Sequence, residues 1–308
     1  SVPGESFLAA LDGLYDSGIQ NVVCRQEGGA AMMAEAYGKM TGQPGVCFVT
    51  RGPGATNASA GVHVARQDST PMVLFVGQID NRQTDRETFQ EVDYRAMFGG
   101  LAKWVAQVDH TDRLPEYIAR AFRVAMSGRP GPVVLALPEN MLSGQADVPD
   151  FQGIIWTEEK SAEGGPFEDM LARLKGAKRP LVVIGGPHWS WVANQNIGFF
   201  AKACGLPVVT SFRRQDHMDN RHPNFAGDLN VGVNPKLAQR VLDADCLLLI
   251  GTRFGDIETQ GYTLVDPANP QKTILHIHAD ADEIGRVYGA DMRIVCDGEM
   301  AAEVLANE

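Results

Sequence analysis

The sequence has few of the features that mark secreted, disulfide-stabilised or zinc-binding proteins. Its 308 residues include five cysteines, an odd number, and none of them forms a Cys-X-X-Cys pair or a His-Cys spacing typical of a metal site. Most of these cysteines lie in apolar, strand-like runs, so we expect reduced core residues of a cytoplasmic protein. The five are Cys24, Cys47, Cys204, Cys246 and Cys296.

Long apolar segments and clusters of positive charge are also missing. No apolar run approaches the roughly 20 residues that a membrane-spanning helix needs, and the opening residues 1–4 have no signal-peptide pattern and read as though they begin inside a structural element. The formal net charge is -11, and no run of Lys and Arg offsets it locally. Phosphate backbones and anionic lipids are repelled by such a chain. We therefore expect neither nucleic acid nor a membrane as a partner.

What the sequence does contain is a repeated alternation of short apolar runs with amphipathic segments. Val, Ile and Leu dominate the runs, which is the pattern of parallel strands covered by helices on both faces. With 308 residues and 44% hydrophobic content, the chain exceeds one ordinary domain. We predict two consecutive α/β domains, each a mostly parallel sheet flanked by helices, at 1–145 and 166–308, with a polar linker at 146–165.

The apolar runs also give the expected positions of the elements. In the first domain the predicted strands are 19–24, 45–50, 72–77, 104–108 and 132–137, and the predicted helices are 28–40, about 54–66 and 112–127. In the second domain the predicted strands are 181–185, 207–211, 246–250, 273–278 and 293–296, with helices between them.

A carboxylate stands where ligands collect in such a fold. Open α/β sheets bind ligands at the carboxyl ends of their strands. The run CRQEGGAA places Glu27 directly after the predicted strand 19–24, and Gly28 and Gly29 let the next helix begin close by. A carboxylate at a helix N-terminus is also favoured by the helix dipole alone. The local sequence therefore leaves both a functional and a structural role open for Glu27.

A glycine-rich turn follows the next predicted strand. The run TRGPGATN, residues 50–57, opens a helix as a dinucleotide-binding loop does, and Asp80 ends the following strand where a ribose-binding acid would lie. Two residues depart from that fingerprint. Asn57 replaces its third glycine, and Pro53 removes an amide donor that would point at phosphate. A nucleotide-dependent oxidoreductase remains an alternative on this motif.

A set of motifs runs through the sequence in a fixed order. In the first half these are VPGES (2–6), CRQEGGAAMMAEAYGKMTG (24–42), FVTRGPGATN (48–57), DSTPMVLFVGQ (68–78), FQEVD (89–93) and SGRPGPVVLALPE (127–139). In the second half they are RPLVVIGG (179–186), GLPVVTSF (205–212), HPNFAGD (222–228), ADCLLLIGTRF (244–254) and HIHADADEIG (276–285). In order and spacing the first set resembles the pyrimidine-binding domain of the acetolactate synthase family of thiamine-diphosphate-dependent enzymes. The second, looser set is similar to that family's central domain.

The resemblance implies thiamine diphosphate as the cofactor and Glu27 as the catalytic residue. In that family a carboxylic acid bonds to a ring nitrogen of the aminopyrimidine and favours its imino tautomer, which then removes the weakly acidic C2 proton. A carboxyl group in a dry crevice is suited to share a proton in this way. Matching residues expected around the pyrimidine and the substrate are Gly4, Pro53, Asn57 and Gln90, with Phe89 as a wall of the substrate pocket.

Each of these residues has a structural alternative when it is considered alone. Pro53 and Gly54 are ordinary turn formers, and a Phe such as Phe89 in an amphipathic stretch is more often part of the core. The ordered set, and not any single member, carries the resemblance.

The family's central domain implies a second cofactor, flavin adenine dinucleotide (FAD), which the reaction does not use for redox chemistry. Many relatives keep this domain without flavin, so an ordinary strand exit is the alternative. Residues that match flavin-contacting or strand-end positions are Arg129, Gly185, Gly186, Gly251, Thr252 and Arg253. We expect His276 and His278 to lie on one strand without binding metal.

Three departures from the family pattern limit the resemblance. The family has a lysine where this chain has Glu139, and an arginine that meets the substrate carboxylate where this chain has Ile257. The Gly-Asp-Gly motif and distant Asn that hold the metal and the diphosphate are not found; Gly227-Asp228 and Gly255-Asp256 lack both. The Mg²⁺ ligands are thus expected outside these 308 residues, and the chain alone should bind the cofactor poorly.

The function implied is carbon-carbon bond formation or cleavage on 2-oxo acids, acting as a transferase of the acetolactate synthase type. A related decarboxylase or lyase is an alternative, and so is a non-catalytic binding module that lacks the diphosphate domain. The expected partners are 2-oxo acid substrates and a second copy of the chain, because in this family the cofactor lies between one subunit's pyrimidine domain and another's diphosphate domain.

Overall fold

The computed structural model describes residues 1–148, 165–187 and 189–307 and divides into two compact units, Ser1–Thr157 and Glu158–Glu308. Each unit contains a sheet of parallel strands flanked by helices, which confirms the predicted fold class. The predicted linker at 146–165 falls largely on residues 149–164, which lie outside the described residues. The predicted domain boundaries therefore stay a prediction.

The first unit has a four-stranded parallel sheet in the order β1-β2-β4-β3. Its strands β2 and β4 are buried at every residue, because helices cover both faces. The strands are β1 (Gly45–Val49), β2 (Met72–Gln78), β3 (Trp104–Gln107) and β4 (Pro132–Pro138). The helices are α1 (Leu8–Tyr15), α2 (Glu27–Thr41), α3 (Pro53–Asp68), α4 (Tyr94–Phe98), α5 (Leu114–Met126) and α6 (Glu139–Leu142).

The predicted strand at 19–24 is wrong. Residues 19–24 carry no strand assignment, and Ile19 and Val23 are 65% and 63% exposed. The segment has a strand-like composition, but a strand also needs a long enough neighbour. Here the amino group of Ser1 donates to the Val22 carbonyl and the Cys24 amide donates to the Ser1 carbonyl, while Val2 alone continues towards Phe48 of β1. These few bonds do not make a ladder.

The second unit has a six-stranded parallel sheet in the order β10-β9-β8-β5-β6-β7. The strand order reverses between β5 and β8, so the switch point of the sheet lies at their carboxyl ends. The strands are β5 (Pro180–Ile184), β6 (Val208–Thr210), β7 (Phe225–Asp228), β8 (Cys246–Ile250), β9 (Thr273–His278) and β10 (Met292–Val295). The helices are α7 (Gly165–Gly176), α8 (Trp191–Cys204), α9 (Pro235–Asp243) and α10 (Gly298–Ala306).

Two details of the second unit and of the cysteines correct the sequence prediction. The edge strand β7 was not predicted, because FAGD contains Gly227 and Asp228, residue types depleted in strands. Cys47, Cys246 and Cys296 are buried as expected, whereas Cys204 is exposed at the end of α8 and Cys24 is half-buried. Among the described helices, none has the length and apolar content to cross a bilayer.

Helices α2 and α3 pack against each other through small residues. A Cβ atom added at Gly61 of α3 would lie 2.5 Å from the Ala31 Cβ and 2.8 Å from the Ala31 carbonyl carbon. Ala58 on α3 and Ala34 on α2 are buried in the same cluster. The two helix backbones therefore approach more closely than larger side chains would allow.

We predict that Gly61→Val destabilises the first unit by about 1–3 kcal/mol, because the added atoms overlap the α2 backbone. Urea unfolding would measure the change. The control is Gly13→Ala in α1, where an added Cβ meets nothing within 4 Å. That variant should change stability by no more than about 1 kcal/mol, in the stabilising direction. Equal stabilities for Gly61→Val and the unchanged protein would contradict the close packing.

Candidate functional site

Glu27 is the first residue of α2, and the cap in front of it fixes its position. Gln26 is extended, with φ -156° and ψ 136°, and its side-chain oxygen accepts a 2.7 Å hydrogen bond from the Gly29 amide. This is N-capping by an amide side chain, which satisfies one of the free amides of the first turn. The helix start agrees with the sequence prediction, although no strand precedes it. The Glu27 side chain is half-buried.

Asn57 of α3 meets this carboxylate. The Asn57 Nδ2 donates to Glu27 Oε2 at 3.0 Å, and a Cβ added at Gly54 would lie 3.6 Å from the other carboxylate oxygen, Oε1. A Cβ added at Gly28 would lie 3.2 Å from the Asn57 carbonyl. Two of the predicted site residues, Glu27 and Asn57, are thus brought into contact, and Gly28 and Gly54 let neighbouring segments of the chain pack closely beside the carboxylate.

The turn between β1 and α3 is built differently from a phosphate-binding loop. Gly52 has φ 58°, and its amide donates to the Tyr94 hydroxyl at 2.8 Å, so this donor is already used. Burial raises the pKa of Tyr94 to about 12, so this hydroxyl stays protonated even in alkaline solution. Pro53 begins α3 and has no amide to offer. The geometry therefore disfavours the dinucleotide-loop alternative.

Gln90 and Phe89 lie on the other side of this turn. A Cβ added at Gly52 would lie 2.7 Å from the Gln90 Cβ, and Gln90 itself has φ 66°. Phe89 is 72% exposed, so the core alternative for this residue is wrong for the single chain. Gly4 packs against the start of the turn, where an added Cβ would lie 2.8 Å from Thr50 Oγ1. Gly4, Pro53 and Gln90 therefore surround one turn, next to the Glu27–Asn57 pair.

Arg51 is a site residue that the sequence reasoning missed. Its side chain is only 10% exposed, and its guanidinium pairs with Glu139 and, at 3.0 Å, with Glu5. Its Nε donates to the Phe89 carbonyl at 3.2 Å. Glu139, noted from sequence only as a departure from the family lysine, is thus the partner of this cation. The signal available in the sequence was an arginine directly before Gly-Pro-Gly together with a charge reversal at position 139.

Comparison with known proteins identifies the family. The N-terminal TPP binding domain of the thiamine pyrophosphate enzymes matches residues 1–97, and the central domain of the same family matches residues 167–305. The chain belongs to the thiamine pyrophosphate enzymes.

Several curated relatives of this thiamine pyrophosphate enzyme are acetolactate synthases. The isozyme 3 large subunit of Escherichia coli is 32% identical over 320 residues, which cover 99% of this chain and 54% of the relative. The large subunit of Corynebacterium glutamicum is 31% identical over 316 residues, covering 99% and 49%. The probable large subunit of Methanocaldococcus jannaschii is 30% identical over 303 residues, covering 96% and 51%. The chain spans about half the length of these relatives.

The pyrimidine end of thiamine diphosphate fits the residues of the first unit. A carboxylate held at a helix start and an amide side chain beside it are groups that can hydrogen-bond a flat, nitrogen-bearing ring. The diphosphate end of the cofactor would need a metal-binding group of side chains. Among the described residues, no group of three or more His, Cys, Asp or Glu side chains could hold a metal ion.

The residues predicted to hold FAD do not form an open cradle in this thiamine pyrophosphate enzyme. A Cβ added at Gly251 would lie 2.5 Å from the Gly185 carbonyl oxygen, and one at Gly186 would lie 2.8 Å from the Gly251 carbonyl carbon. These glycines let the exits of β5 and β8 touch each other. Thr252 is buried, and its hydroxyl accepts from the Phe254 amide, while Arg253 is exposed. The flavin site stays a prediction that this packing does not favour.

Trp189 and Arg129 support the same conclusion. The Trp189 indole is buried over the end of β5, where it donates to the Gly185 carbonyl at 3.2 Å and stacks on His217 at 5.2 Å. Arg129 lies in the first unit and is buried. Its Nε donates to Ser69 Oγ at 2.9 Å and its Nη2 to the Arg66 carbonyl at 2.6 Å. The chain's own groups thus take part of the hydrogen-bonding capacity expected for a flavin.

Burial of His217 generates a pH-dependence of stability. Desolvation, aided by the Arg214 cation and opposed by Asp216, lowers the pKa of His217 from 6.5 to about 4. The unfolded chain therefore takes up a proton first on acidification. We predict that the free energy of unfolding falls by about 1.4 kcal/mol per pH unit for this group between pH 6.5 and 4. His276, whose pKa burial also lowers to about 4, adds to the slope.

Urea unfolding at several pH values would check this. In His217→Phe the free energy of unfolding should depend less steeply on pH between pH 6.5 and 4, because the titrating group is gone. The phenyl ring keeps the stacking on Trp189. The control is His110→Gln, which replaces an exposed histidine and should leave the slope unchanged. A His217→Phe protein with the slope of the unchanged protein would show that His217 does not stay neutral in the folded state.

Proposed function

We propose that the complete protein uses thiamine diphosphate to form or cleave carbon-carbon bonds of 2-oxo acids, with Glu27 as the residue that activates the cofactor. The observation that carries the proposal is the Glu27 carboxylate, held at the start of α2 and hydrogen-bonded to Asn57, within the part of the chain that matches a TPP binding domain. The acetolactate synthase names of the relatives support the reaction class.

The bound cofactor supplies a carbon acid at thiamine C2 whose conjugate base attacks a carbonyl group. Glu27 would hold a proton at the ring nitrogen of the aminopyrimidine. Asn57 donates to Glu27 Oε2 and so leaves Oε1, which faces Gly54, as the oxygen directed at the ring. A side chain at position 54 would overlap Thr50 and also contact this oxygen, and glycine avoids both. Gln26 fixes the turn that carries Glu27.

Condensation of 2-oxo acids with loss of CO₂ is the leading reaction. A decarboxylase or lyase is the second candidate, because Ile257 stands where the family's carboxylate-binding arginine would be and is apolar. Mg²⁺ belongs to the proposal as the metal that bridges the diphosphate, held by residues outside these 308. FAD is left out of it, since the strand exits in the second unit are closed by the chain's own packing.

A second copy of the chain is the proposed partner. Helix α2, which begins with Glu27, carries an exposed apolar stripe of Met33, Tyr37 and Met40, which are 53%, 54% and 78% exposed. These residues follow the i, i+4, i+7 spacing of one helix face. A contiguous apolar face is typical of a protein-protein contact. The stripe lies on the same helix as Glu27, which agrees with a second copy binding near the proposed cofactor site.

The proposed role of Glu27 is tested with Glu27→Gln. We expect turnover of pyruvate with Mg²⁺ and thiamine diphosphate to fall by at least about 100-fold, because an amide cannot share its proton with the ring. Product formation, by carboligation or by decarboxylation, is the measurement. The control is Glu116→Gln, an exposed glutamate that pairs with Arg113. Equal rates for Glu27→Gln and the unchanged protein would refute the assignment.

The proposed self-association is tested with the double variant Met33→Glu, Tyr37→Glu. Carboxylates on the stripe should shift the protein towards monomers and raise the thiamine diphosphate concentration needed for saturation. Light scattering after size-exclusion chromatography measures the first effect. Phe199→Glu, which alters an equally exposed aromatic residue on α8, serves as the control. If the double variant keeps the mass of the unchanged protein, the stripe is not the contact.

A further inference from the structure

The Arg51 guanidinium joins three segments that are far apart in sequence. Its Nη2 donates to Glu5 Oε1 at 3.0 Å, its Nη1 bonds to Glu139 and its Nε donates to the Phe89 carbonyl at 3.2 Å. Two carboxylates therefore share one cation, and the local charge sum is negative.

The two carboxylates are not equivalent. The Glu139 side chain is 42% exposed and begins the short helix α6, whereas the Glu5 side chain is 63% exposed. Exposed ion pairs contribute little to stability, since water and salt compete with them. Glu5 can therefore leave the guanidinium at small cost, while Glu139 and the Phe89 carbonyl keep it in place.

The location of this cation relates it to the proposed active site. Arg51 directly precedes Gly52, whose turn leads to Gly54 next to the Glu27 carboxylate. On its other side Arg51 is bonded to the backbone of Phe89, the residue predicted to form a wall of the substrate pocket. The guanidinium thus lies between the turn and the substrate wall, all within the first unit.

A 2-oxo acid brings a carboxylate that needs a partner. The planar fork of arginine matches a carboxylate with two parallel hydrogen bonds. The position that supplies this arginine in the resembling family is Ile257 here, which cannot do so. A cation with an easily displaced carboxylate partner is already present at Arg51.

We propose that Arg51 binds the carboxylate of the 2-oxo acid substrate, which takes the place of Glu5 on Nη2. The inference rests on the proposed function. Exchange of one carboxylate for another leaves the charge around the guanidinium unchanged, so the substrate adds no uncompensated anion. Glu139 serves as a positioning residue that holds the guanidinium against the Phe89 segment. Glu5 acts as a competitor that occupies the cation when substrate is absent.

The test uses the complete protein with Mg²⁺ and thiamine diphosphate, with pyruvate as the donor that loses CO₂ and either pyruvate or its uncharged methyl ester as the acceptor, since an ester has no carboxylate to lose. In Arg51→Gln we expect the KM for pyruvate to rise about 10- to 100-fold, as for the loss of a hydrogen-bonded charge, with a much smaller change for the ester. Arg51→Lys should retain part of the affinity. Arg113→Gln, which breaks an exposed ion pair at the start of α5, is the matched control.

Glu5→Gln separates substrate binding from a structural role. Removal of the competing carboxylate should lower the KM for pyruvate about 2- to 5-fold and leave the KM for the ester unchanged. If Arg51 only holds the Phe89 segment, both Arg51→Gln and Glu5→Gln will raise the KM for acid and ester alike, and the proposal is overturned. Failure of the proposed function would show differently, as a Glu27→Gln variant with the turnover of the unchanged protein.

Discussion

The close approach of α2 and α3 is the constraint on which the proposed active site depends. Gly61 and Ala31 set the distance between the two helix backbones, and this distance places Asn57 within 3.0 Å of the Glu27 carboxylate. Small residues are poor at burying apolar surface, so the contact gains its stability from close packing of backbone atoms instead. The Glu27 carboxylate is thus oriented by the fold itself.

Much of the fold could be predicted because its signals are local. Continuous apolar runs predicted β2, β4, β8 and β9, since central parallel strands are buried on both faces. Gly28 and Gly29, directly after Glu27, predicted where α2 begins. The strand at 19–24 was wrong because strand formation depends on a neighbour that composition does not reveal, and β7 was missed because its residues disfavour strands.

The site was only partly predictable for a related reason. Glu27, Asn57 and Gln90 lie in recognisable motifs, and the structure gathers them around one turn. The pairing of Arg51 with Glu139 joins residues 88 positions apart, and neither motif indicates the other. In the second unit, glycines of the same appearance at the ends of β5 and β8 serve the packing of the chain on itself. A glycine in a motif can therefore indicate either a ligand-binding site or a close approach between two segments of the backbone.

The hydrogen bonds that Arg51 makes to three distant segments also affect the order of folding. Its bonds close loops of 46, 38 and 88 residues, to Glu5, Phe89 and Glu139. Loop closure costs conformational entropy before the contact is gained, so such bonds form late. During synthesis these three contacts of Arg51 cannot all form until Glu139 has left the ribosome, after every strand of the first sheet has been made. During synthesis, Glu27 and helix α2 are therefore present well before Arg51 can pair with Glu139.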